Sequence, residues 1–133
     1  MGDTSRNYLV IGALYLCIGL ALGIFMGIRQ DFTLAPVHAH INLVGFACHT
    51  LFGIAGRAFP ALATDKLAKL QFAIFAAGSP LLMVGIALSL LLHIEVVVVI
   101  GSLLVFVGAL LFALMTVRAG GAGRISNAQT ATR

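Results

Sequence analysis

Residues 67–117 read LAKLQFAIFAAGSPLLMVGIALSLLLHIEVVVVIGSLLVFVGALLFALMTV, a 51-residue run broken only by Lys69, Gln71, a few hydroxyls and the pair His93 and Glu95. At roughly 1.5 Å per residue a single helix of that length would reach about 77 Å, against a hydrocarbon core of roughly 30 Å. The run must fold back, and His93-Ile94-Glu95 is the one polar place to do so. A tight hairpin is expected there, although neither Gly nor Pro marks it.

Working outward, a first apolar span runs from about Tyr8 to Ile28 and is closed by Arg29-Gln30-Asp31. A second begins near Pro36, a residue suited to the first turn of a helix, and ends near Arg57. A polar link from Phe59-Pro60 through Asp65 leads into the long run. Composition agrees: 61% of the 133 residues are apolar, 9% are charged and the mean hydropathy is +1.11. The expected fold is an all-α polytopic membrane protein, four transmembrane helices in an antiparallel bundle over residues 1–118. Residues 119–133, rich in Gly, Ser, Asn, Gln and Thr, are expected to form a flexible cytoplasmic tail.

Four spans put the N-terminus, the middle link and the C-terminus on one side of the bilayer. Arg6, Arg57, Lys66, Lys69, Arg118, Arg124 and Arg133 all fall there, whereas Arg29 alone falls on the other side, with Asp31 and Glu95. The positive-inside rule then makes both termini cytoplasmic, in a bacterial inner membrane. The net charge of +4 reflects this topology and contact with the lipid bilayer; no basic patch with interleaved aromatics points to nucleic acid. The first span is too long for a signal-peptide core and no small-x-small site follows Ile28, so it is expected to be retained. Cys17 and Cys48 read as small buried hydrophobes. Gly19, Gly23 and Gly27 form a small-residue stripe suited to helix packing.

The chemistry concentrates in Pro36-Val-His-Ala-His-Ile-Asn-Leu-Val-Gly-Phe46. Imidazole in a bilayer is costly, faces a cavity, a partner or a metal, and is the commonest ligand for iron, copper and zinc. At about 100° per residue, His38, Asn42 and His49 share a face with Gly45, Gly53 and Gly56, while His40 lies about 200° from His38. Two imidazoles on opposite faces of one helix serve two sites, as at a repeated interface or between two planar cofactors.

His40-Ile41-Asn42-Leu43, entering a membrane helix from its outer end, resembles the second helix of subunit I of the haem-copper oxidases and nitric oxide reductases, where a histidine at the position of His40 ligates a haem. His38-Ala39-His40 is similar to that subunit's tenth helix, whose two histidines ligate haems on opposite faces. The family's twelve helices form three equivalent four-helix units, and this chain resembles one of them. The resemblance implies a homotrimer with haem b between neighbours, bound by His40 of one copy and His38 of the next. It does not extend to the family's copper centre, since no adjacent histidine pair and no histidine–tyrosine crosslink candidate is present.

On that resemblance the cofactor site comprises His38, His40, Asn42 and Arg29, the outer guanidinium available to haem propionates. His93 and Glu95 are candidates for a second metal or proton site, and His49 for an inner ligand. The expected function is electron transfer or handling of a diatomic gas (NO or O2) by a haem b redox protein, an oxidoreductase if a coordination position is open, served by a redox partner or quinol. A copper- or zinc-binding transport or sensor protein, and a cofactor-free assembly subunit, stay open beside it.

Overall fold

The computed structural model describes the backbone from Asp3 to Thr130 and the side chains of residues 3–120. Four helices in it are long and apolar enough to cross a membrane: Thr4–Arg29, Ala35–Ala58, Ala68–Leu92 and Val96–Gly120, the last continuing in its backbone to Thr130. The chain is thus an all-helical integral membrane protein. Of the expected tail, residues 119–130 continue the fourth helix; the side chains beyond Gly120 and all of residues 131–133 lie outside the described residues.

The first helix starts four residues before the apolar run because Asp3 caps it. Its carboxylate accepts from the backbone N–H of Ser5 at 3.1 Å and of Arg6 at 3.4 Å. The helix ends where Gln30 turns left-handed, with φ 51°, and donates its N–H to the Met26 carbonyl. Asp31 then closes a short turn by accepting from Thr33 N–H at 3.0 Å and Thr33 Oγ1 at 2.7 Å. Pro36 falls in the first turn of the second helix, as its missing N–H allows. Between Ile41 and Cys48 that helix opens into a π-helical stretch.

A short helical turn, Pro60–Ala63, carries the link, and Asp65 caps the entry to the third helix by accepting from Leu67 N–H at 2.8 Å. The expected hairpin is present. His93 takes the left-handed position, with φ 56°, its N–H reaches the Ser89 carbonyl at 3.2 Å, and the N–H of Ile94 reaches that of Leu88 at 3.3 Å. Glycine is the usual residue in that place because it has no Cβ to crowd the following carbonyl.

Close packing follows small residues. Gly78 and Gly85 on the third helix, and Gly101 and Gly108 on the fourth, recur every seven residues and let the two backbones approach. A Cβ on Gly78 would stand 2.7 Å from that of Leu104 and 2.9 Å from Val105 N. The first and second helices pack likewise: Gly23 meets His38, Gly19 meets Asn42, Gly45 meets Tyr15, and Gly53 meets Leu9. Gly27, grouped with Gly19 and Gly23 in the sequence, meets nothing within 4 Å and lies past the contact.

Two ion pairs link the chain's termini and its middle link at one end. Arg57 binds Asp3 at 2.7 Å, and Arg118 lies 3.6 Å from Asp65. The opposite end carries Arg29, Asp31, His38, His40, His93 and Glu95. The outward faces are largely apolar: Leu43, Ile54, Leu103 and Phe106 are among many large exposed hydrophobes, as a lipid-facing surface requires.

Candidate functional site

The second helix carries the site, and its two histidines point apart as its winding dictates. His38 is half-buried against the first helix, its Cε1 2.9 Å from where a Cβ on Gly23 would lie. Asn42 sits one turn below. Its Nδ2 donates to the His38 carbonyl at 2.9 Å and lies 3.3 Å from the ring Nε2, while its Oδ1 occupies the space a Cβ on Gly19 would need. Gly19 and Gly23 are therefore the sockets that admit these two side chains, which gives the glycine stripe a purpose beyond helix approach.

His40 projects from the other side of the helix. Its Nδ1 is 2.8 Å from the Pro36 carbonyl. A carbonyl can only accept, so Nδ1 carries the proton, and in the neutral ring Nε2 keeps a free lone pair. Backbone anchoring of one ring nitrogen is the usual way a protein fixes the tautomer and direction of a ligating imidazole.

His49 has the same arrangement in a different setting. Its Nδ1 reaches back five residues to the Val44 carbonyl at 3.0 Å, across the π-helical stretch that ends immediately before it. Such stretches frequently mark functional sites. The ring is fully buried and, among the described residues, its Nε2 finds no hydrogen-bond partner. Around it stand Tyr8 and Tyr15, each with ring centroid 5.5 Å away, and Phe75 at 5.0 Å.

A second buried polar group lies beside this ring. Tyr8 donates to Gln71 Oε1 at 2.6 Å, and Gln71 Nε2 donates to the Gly108 carbonyl at 3.3 Å, so one chain of hydrogen bonds ties the first, third and fourth helices. A cavity of about 20 Å³, room for one water, adjoins Tyr8, Gln71 and Ser5. Sequence reading assigned no role to Tyr8, Tyr15 or Gln71. The available signal was the amide of Gln71, near the start of an apolar run, which needs a partner if it faces the bundle.

At the outer end, His93 and Glu95 are exposed in the hairpin and Arg29 is exposed at the end of the first helix. The Asp31 carboxyl is lowered from its ordinary value, chiefly because the Thr33 hydroxyl and N–H donate to it, with Arg29 a lesser contributor. Among the described residues no three His, Cys, Asp or Glu side chains come close enough together to hold an ion. His38 with Asn42 is the one sequence-named pair in contact. An ion or macrocycle at His40 would need its remaining ligands from outside this chain's own bundle.

No protein-family model, no characterised protein and no solved structure matches the chain.

Proposed function

We propose that this protein binds haem b through its second-helix histidines, between neighbouring copies, and serves in electron transfer or in handling a diatomic gas such as nitric oxide. The supporting observation is His40, whose Nδ1–H is held by the Pro36 carbonyl at 2.8 Å while the ring stands on the outer side of the bundle. An imidazole that starts a membrane helix with one nitrogen anchored presents the other, with its free lone pair, in a fixed direction for a ligand. A bound haem supplies one-electron redox chemistry. His40 would hold the iron through Nε2, with the Pro36 carbonyl fixing its tautomer. His38 of an adjacent copy would be the second ligand; in the single chain its ring rests in the Gly23 socket with Asn42 Nδ2 3.3 Å from its Nε2, so ligation requires the ring to turn out of that socket. Arg29, exposed and at the same end, meets the propionates.

In this reading the four spans form an antiparallel bundle in a bacterial inner membrane, with both termini cytoplasmic and three copies in a ring. The reduced-minus-oxidised absorbance spectrum of detergent-purified protein, expressed with haem supplied, is the test. A sharp Soret and α-band that His40→Ala abolishes is the expected result, and a response to carbon monoxide identifies an open coordination position. A featureless spectrum from a folded sample overturns the proposal. Copper or zinc that co-purifies in its place, and is lost in His40→Ala, moves the function to metal transport or sensing.

A further inference from the structure

Away from the histidines, the first and third helices part along their outer side and leave two hollows of about 390 Å³ each, one above the other. Ile11 lines both, so they form one groove. Its upper part, toward the middle of the membrane, is walled by Leu14, Tyr15, Ile18, Ala76 and Pro80 and is mostly apolar. Its lower mouth, at the end where the termini lie, is bounded by Arg6 and Asn7 on one side and Phe72 on the other. Lys69, one helical turn before Phe72, is exposed on the same face of the third helix.

The mouth carries two cations without carboxylate partners; among the described residues Lys66, in the middle link, likewise has none. Arg57 and Arg118 are each matched by a carboxylate, whereas among the described residues Arg6 and Lys69 form no ion pair. From Arg6 to Ile18 the groove rises about 18 Å at 1.5 Å per residue, slightly more than one leaflet, or half the roughly 30 Å core. A slot one leaflet deep, mostly apolar along its length and doubly cationic at its mouth, has the shape and charge of a single lipid standing in the bilayer.

We infer that the first–third groove binds an anionic phospholipid of the surrounding membrane, its acyl chain against Leu14, Ile18 and Ala76 and its phosphate between Arg6 and Lys69. This site is separate from the histidines and does not depend on any cofactor reading.

Native mass spectrometry of the full-length protein in detergent, titrated with phosphatidylglycerol and with phosphatidylcholine, tests it. A cation near an anionic headgroup contributes about fivefold in affinity. The wild-type chain should therefore retain phosphatidylglycerol at least about fivefold better than phosphatidylcholine. The surface variant Arg6→Gln/Lys69→Gln, which leaves the packing untouched, should bring that ratio near one. Ala76→Phe, which fills the slot, should reduce retention of both lipids, with circular dichroism confirming the fold. Equal retention of the two lipids by the wild type, or an unchanged preference in Arg6→Gln/Lys69→Gln, overturns the inference. Displacement of the lipid by an uncharged quinone at equal concentration overturns it too, and assigns the groove to that ligand.

Discussion

His93 shows how one residue type can carry two readings that only geometry separates. In the sequence it was a candidate ligand beside Glu95; in the fold it occupies the left-handed position that ends the third helix, with φ 56°. A non-glycine residue there costs on the order of 1–2 kcal/mol. His93→Gly should accordingly stabilise the folded protein by about 1 kcal/mol in thermal unfolding, and leave any bound cofactor in place. Loss of cofactor in that variant would restore His93 to the ligands. That the chain turns here was legible, because His93 and Glu95 are the only titratable residues within reach of the midpoint of a run too long for one span. How it turns was not, because the expected marker, a glycine, is absent. His38 and His40 were legible as opposed, since two residues of helix rotate a side chain to the far side. The anchoring of His40 by Pro36 was also implicit, because the proline that starts the helix lies one turn before it.

Among the elements, the third and fourth helices depend on the seven-residue spacing of Gly78, Gly85, Gly101 and Gly108. A Cβ on Gly101 would collide with the backbone of Leu82. Gly101→Leu should lower stability by about 1–3 kcal/mol or more, whereas Gly27→Ala, where the space is open, should raise it by up to about 1 kcal/mol through helix propensity. Thermal melts of the two variants in the same detergent separate a packing glycine from an idle one, which the stripe pattern alone does not. The second helix exposes a different limit of sequence reading. The face shared by His38, Asn42, Gly45, His49 and Gly53 does turn inward, as even 100° spacing predicts. The π-helical stretch from Ile41 to Cys48 left no mark in residue type, because it arises from how backbone carbonyls find partners and not from apolar periodicity.

At the scale of the molecule, the ion pairs Asp3–Arg57 and Asp65–Arg118 gather the termini and the middle link at one end, in agreement with the count of basic residues. If that end is cytoplasmic, single cysteines placed in a Cys17→Ser/Cys48→Ser background should report it. Glu95→Cys should react with a membrane-impermeant maleimide on intact spheroplasts, and Thr64→Cys only after permeabilisation; the reverse pattern would invert the protein. The wide winding of the second helix also bears on which mutations the gene can tolerate. A π-helical stretch holds one residue more than the α-helix it interrupts, so losing a single codon between 41 and 48 closes it toward plain α-helix with everything beyond still in phase. Losing one between 50 and 56, in regular α-helix, shortens the span by only about 1.5 Å yet rotates everything beyond it by roughly 100°. The first loss keeps His49 in the bundle's interior and Arg57 beside Asp3; the second swings Arg57 away from Asp3. A deletion of the same size in the short turn before Pro36 would shift no side chain around a helix axis. Within this chain, the harm done by an in-frame deletion depends less on how much sequence is lost than on whether the lost residue was the one that set the phase.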